Sequence, residues 1–233
     1  MNTRPLLSSL CALVAITFAS CRPDGVDGEV LMTFTDLATY EGDTAPGGHA
    51  AFSVIRDGDQ PAAQLYSDIT LADRQTEGTR MLISYTTPAN LPYTTGPVSI
   101  ISGYAVNQGP AVTEWRDEYR GWDADPVWLN SVWRTGRFVN FNVRLAYSTR
   151  PRIFTLVAAE GWESQQWPDL YLAHALPPDV GETHDRRYYA SYDISAIWDR
   201  PAVLGVRVHV ATDNLGGIKV FEFAKTASSQ SAE

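Results

Sequence analysis

The stretch RFVNFNVRLAY, residues 137–147, decides the reading of this chain. Val139, Phe141, Val143 and Leu145 fall in one register of an extended backbone. Asn140, Asn142 and Arg144 take the other, with Phe138 as its apolar exception. Alternation with a period of two places successive side chains on opposite faces and predicts a strand with one face buried in a core. RTGR, residues 134–137, is a tight connection that turns VWLNSVW (127–133) into its hairpin partner.

Working towards the C-terminus, RIFTLVAA, DLYLAHAL, RYYASYDI, VLGVRVHVAT and GIKVFEFAK repeat the pattern, with the glycine turn DNLGG before the last. Residues 127–225 are therefore expected to hold a seven-stranded antiparallel β-sandwich, since no helices alternate with the strands. Towards the N-terminus, residues 25–106 carry five more strand-like runs separated by Gly, Pro and Asp clusters. One of those clusters is the turn dipeptide Asp57-Gly58. Between the two units, NQGPAVTEWRDEYRGWDADP (107–126) breaks the rhythm. It is expected to be a connector in which AVTEWRDEY forms about two turns of helix, stopped by the proline of DADP. The expected fold class is all-β throughout, and the tail 226–233, small and polar, is expected to be disordered.

Charge separates the units. The whole chain carries −9, with 18 basic and 27 acidic residues. Residues 25–106 contribute three basic and ten acidic groups, whereas residues 127–225 are close to neutral.

The beginning of the chain predicts where it lives. A single charge, Arg4, precedes an apolar run from Leu6 to Phe18 that is too short to cross a bilayer and ends on FASC, residues 18–21. Residues 1–20 are read as a signal peptide of the lipoprotein type, with Cys21 as the lipidated residue. The other cysteine, Cys11, lies inside the leader, so the mature domain must be stabilised without a disulfide. The expected location is the bacterial cell envelope, as an outer-membrane lipoprotein facing the periplasm or the cell surface.

GTRMLISYT (78–86), DPVWLNSVWRTGRFVNFNVRLAY (125–147), RRYYASYDIS (186–195) and VHVATDNLGGIKVFEF (208–223), together with the lipobox and the two-unit order, resemble the NigD-like lipoproteins of Bacteroidetes-type bacteria. The resemblance covers essentially the whole mature chain. It implies a five-stranded OB-like barrel at 25–106 followed by the sandwich, and it transfers no catalytic residues.

OB-like barrels often bind nucleic acid, but a unit with three arginines, ten acids and no lysine repels a polyanion, so no nucleic-acid partner is expected. No GxSxG, HExxH or paired CxxC occurs, and no cofactor, metal or catalytic residue is expected. HALPPDVGETHD (174–185) gathers two histidines and three acids, and is read as a polar loop rather than a metal site. The seven tryptophans all lie between Trp115 and Trp198. Trp128 and Trp133 are expected in the core. Trp115, Trp122, Trp162 and Trp167 lie in or beside turn-rich stretches and are the candidate ligand-binding residues, suited to sugar rings or protein contacts. Packing between the units is the competing use for them. Arg134, Arg137, Arg144, Arg150 and Arg152 could form a cationic stripe for anionic glycans or lipid headgroups, but are expected to be a solvated strand face.

The function expected is that of a non-enzymatic, lipid-anchored binding or assembly protein whose partners are the membrane and a glycan or envelope protein. A carbohydrate-binding module is the alternative, and an envelope glycan hydrolase the third reading.

Overall fold

The computed structural model describes residues 31–92, 94–147, 152–176 and 184–225. The leader, Cys21, Arg150, the loop 177–183 and the tail 226–233 lie outside the described residues. The fold is all-β, and its strands form three sheets.

The first sheet uses β1 (Thr33–Tyr40), β2 (Ala51–Val54), β3 (Ala63–Tyr66), β4 (Arg80–Thr86), β5 (Gly96–Pro97) and β6 (Ser99–Ala105), in the order β5-β3-β2-β1-β4-β6. Six strands appear where five were expected because the last run is divided at Val98. Its first part, β5, pairs parallel with β3, and its second, β6, pairs antiparallel with β4. One run of chain thus joins both ends of the sheet and curls it into an OB-like barrel. In β4, Met81, Ile83 and Tyr85 alternate into a core with Tyr40, Phe52 and Leu65.

The sandwich has eight strands, one more than expected. β7 (Asn107–Pro110), β12 (Asp185–Asp193), β9 (Phe138–Ala146) and β8 (Trp128–Thr135) form one sheet in that order. β10 (Ile153–Ala158), β11 (Asp169–Ala175), β13 (Gly205–Thr212) and β14 (Gly217–Ala224) form the other. Val139, Phe141, Val143 and Leu145 of β9 are each at most 3% exposed and pack against Leu156, Leu170, Leu172 and Val208. Burying such side chains stabilises the fold by roughly 1.5–3 kcal/mol each.

The sheets are not purely antiparallel. β7 runs parallel to β12, and β11 parallel to β13. Between β11 and β13 the chain builds β12 in the opposite sheet, and between β7 and β12 it builds four strands across both sheets, which supplies the crossover a parallel pair requires.

The expected connector begins as strand β7, whose Pro110 is tolerated because β7 lies at a sheet edge. Its expected helix is reduced to a 3-10 turn at Asp117–Tyr119. Ala111 and Val112 donate their backbone N–H groups to Asp193 and Leu156, which commits this part of the segment to extended pairing.

Candidate functional site

Barrel and sandwich meet where the β8–β9 hairpin touches the Asp57-Gly58 turn. Gly58 N–H donates to Arg134 O at 2.9 Å, and Gly136 N–H donates to Gly58 O at 2.7 Å. Gly136 has φ +55°, and a Cβ there would lie 3.0 Å from Ile55 Cδ1, so the turn needs glycine both for its backbone and for this approach.

Two buried arginines cross the junction. Arg134, 4% exposed, donates from Nη1 and Nη2 to the two carboxylate oxygens of Asp59 at 2.7 and 2.8 Å. It also donates to Gly136 O and lies 4.2 Å from the Trp198 ring centroid. Arg80, 2% exposed, has neutral partners instead: Ser191 Oγ at 3.0 Å, Thr39 Oγ1 at 2.9 Å and Asn140 Oδ1 at 3.3 Å. Burial, and then the nearby charge of Arg137, bring its pKa down to about 10.

Two clefts lie along this junction. The larger, about 700 Å³, has Glu41 and Glu77 on the barrel side and Arg137 and Phe138 on the sandwich side. Glu41 accepts a hydrogen bond from Ser53 Oγ at 2.6 Å, and Arg137 pairs with Asp193 at 3.1 Å. The smaller, about 390 Å³, is lined by Asp36, Arg56 and Leu82 of the barrel and by Trp133 and Tyr189 of the sandwich. Neither lining contains a histidine or a cysteine. The clefts offer hydrogen bonds, charge and aromatic faces, which is the chemistry of holding a polar ligand.

The tryptophans fall differently from expectation. Trp162 is 6% exposed, belongs to the sandwich core and donates its indole N–H to Thr113 O at 3.1 Å. A ring so enclosed offers no face to a sugar, which corrects its place among the candidate ligand residues. Trp115 and Trp122 are half-buried against Tyr171, at centroid distances of 5.8 and 4.7 Å, on the outer face of the β10-β11-β13-β14 sheet. Trp167 is half-buried and packs against Gly205, where a Cβ would lie 2.4 Å from its ring. The contacts of all three described here are internal packing. Trp128, expected in the core, is 45% exposed, because its register places it opposite Arg144 on the face turned away from the core. Trp133 is half-buried in the smaller cleft.

Three histidines, His174, His184 and His209, have structural partners. His174 is 4% exposed, its Nδ1 lies 2.8 Å from Asp125 O, and burial lowers its pKa. His184 stacks on Tyr147, and His209 Nε2 sits 2.8 Å from Asp169 Oδ1. Asp169 also accepts from Arg207 Nη2 at 2.9 Å. No group of three metal-ligating side chains occurs among the described residues. No helix among them is long and apolar enough to cross a membrane.

Sequence spacing could not have found the junction. Arg80 and Ser191 are 111 positions apart, and Arg134 and Asp59 are 75 apart. The one local signal was a pair of short glycine turns, Asp57-Gly58 and Thr135-Gly136, which dock on each other.

Comparison with known proteins gives the fold its relatives. No family model and no curated protein sequence matches the chain. Among solved structures, a protein of unknown function from Bacteroides vulgatus is similar with a TM-score of 0.66 at 15% identity, over 87% of this chain and 95% of the other. A NigD-like immunity protein from Bacteroides caccae gives 0.57 at 19% identity, over 83% and 97% of the two chains. A candidate lipoprotein from Bacteroides fragilis gives 0.57 at 13% identity, over 85% and 100%. These likenesses are of fold, over more than four-fifths of this chain. The proteins that share it include a NigD-like immunity protein.

Proposed function

We propose that this chain is a lipid-anchored, non-enzymatic binding protein of the bacterial cell envelope. The observation that carries the reading is the shared fold: over more than four-fifths of its length, the chain superposes on a NigD-like immunity protein and a candidate lipoprotein. The leader ending in FASC agrees with it and makes Cys21 the anchored residue. Anchoring by more than one acyl chain on Cys21 would hold the protein at the outer membrane. The junction clefts, built from carboxylates, arginines and aromatics, support a role in holding a ligand.

The test is metabolic labelling with an alkyne fatty acid followed by membrane fractionation. The native chain should carry label and sediment with membranes. Cys21→Ser should lose the label and the membrane association. Label retained in that variant, or an unlabelled native protein, would remove the anchor from the reading. Protease treatment of intact cells then distinguishes surface display from a periplasmic position.

A further inference from the structure

The outer face of the β7-β12-β9-β8 sheet is used in two ways. At one end, Phe138, Asn140 and Ser191 pack towards the barrel around Arg80. The other end of the same face is left uncovered, and the strand registers order it into rows. Trp128 lies opposite Arg144, and Arg144 lies opposite Arg187. All three are exposed, and the Arg144 guanidinium sits 5.7 Å from the Trp128 ring centroid. In the next row, Asn130 Nδ2 donates to Asn142 Oδ1 at 3.2 Å, and Asn142 Nδ2 donates to the Tyr189 hydroxyl at 3.3 Å. Tyr189 also lines the smaller junction cleft, so the rows lead into it.

Two like charges directly opposite on neighbouring strands destabilise a sheet. Neither Arg144 nor Arg187 forms an ion pair among the described residues. In the adjacent row of described residues, Asp185 lies opposite Ala146. A chain of net charge −9 thus keeps two adjacent arginines, without an ion-pair partner among the described residues, beside an exposed indole. An external anion would relieve the repulsion, and guanidinium groups match carboxylates in shape and charge.

We infer that this face binds an acidic oligosaccharide. Uronate carboxylates meet Arg144 and Arg187, one sugar ring stacks on Trp128, and hydroxyls bond to the Asn130–Asn142–Tyr189 row. A sugar fits better than a lipid headgroup because the rows are rich in amides and hydroxyl-bearing groups, with Trp128 the one large side chain of the six that carries no hydroxyl, amide or charge. The inference rests on the binding role proposed above and is independent of the anchor at Cys21.

The test uses the mature protein purified in detergent, titrated calorimetrically with hexagalacturonate, hexamannuronate and a heparin hexasaccharide. Cellohexaose serves as the neutral comparison. Saturable binding to at least one acidic hexasaccharide is expected, weakening as salt rises because the charges are exposed. The double variant Arg144→Gln/Arg187→Gln should lose at least about tenfold in affinity, equivalent to about 1.4 kcal/mol. Trp128→Ala should weaken binding without altering its salt dependence. Arg116→Gln/Arg120→Gln, on the connector, should bind as the native protein does, and unchanged unfolding temperatures exclude misfolding. No binding to any of the three, equal binding of cellohexaose, or an unaffected double variant would each overturn the inference. So would binding confined to phosphatidylglycerol vesicles or to an acidic protein. An unlabelled native protein would overturn the anchor and leave this result standing.

Discussion

Arg134 and Arg80 cross the same junction and are buried to the same degree, yet the molecule satisfies them in opposite ways. Arg134 has a carboxylate gripped by both terminal nitrogens, a carbonyl and an indole face. Arg80 has two hydroxyls, an amide oxygen and the Phe138 ring at 4.5 Å. A buried charge with a charged partner loses heavily when that partner is removed. A buried charge with neutral partners has already borne the cost of leaving water, as the lowered pKa of Arg80 records. The first arginine is a clamp between units, and the second is a donor that organises a polar cluster.

The largest effect should follow from breaking the clamp. Asp59→Ala leaves the buried Arg134 guanidinium without its carboxylate, and should lower the unfolding free energy by about 3–5 kcal/mol in urea denaturation. Arg134→Met should cost less, about 2 kcal/mol, because the Asp59 it abandons is 45% exposed at its side chain and is hydrated instead. A double-mutant cycle on the pair measures their coupling directly, and additivity would show that the clamp does not operate.

Arg80→Met should cost only about 1 kcal/mol, because the partners it abandons still have one another. Ser191 Oγ donates to Asn140 Oδ1 at 2.8 Å, and Asn140 Nδ2 donates to Thr135 Oγ1 at 2.9 Å. Arg80→Lys should be the worse replacement. It keeps the charge buried and loses the planar fork that reaches three acceptors. If Arg80→Met destabilised as much as Asp59→Ala, the distinction between clamp and organiser would collapse.

The contrast also explains what could be read in advance. The β9 alternation was legible because one face of that strand meets a continuous apolar core, where period and burial coincide. The all-β character followed from the same signal. Trp162 and Trp128 fall elsewhere than expected because neither a turn-rich neighbourhood nor a strand reports burial by itself. Trp162, in a polar-looking loop, is enclosed by the sandwich, while Trp128, in a strand, points outward by register. β7 was invisible because NQGP has no apolar alternation and is held at its edge by backbone pairing to β12. The junction was invisible for a different reason. Its parts are single residues from five separate strands, brought together only when barrel and sandwich dock.

The smallest effect separates sandwich from junction by pH. His174 is buried beside Arg152, with Nη1 3.5 Å from its Nε2, and burial followed by that charge outweighs the bond to Asp125 O in lowering its pKa. The imidazole therefore takes a proton less readily when folded than when unfolded. As pH falls below about 6.5, the unfolded state binds the proton first and stability declines, while above that value both states are neutral and the contribution is flat. The unfolding temperature of the native protein should thus fall modestly between pH 7 and pH 5. His174→Gln should flatten that slope, keeping an amide in reach of Asp125 without a titrating group. Arg80→Met should leave the slope unchanged, because a guanidinium with a pKa of about 10 stays charged across the whole range. A slope altered by Arg80→Met and untouched by His174→Gln would place the acid-sensitive element at the junction instead of in the sandwich.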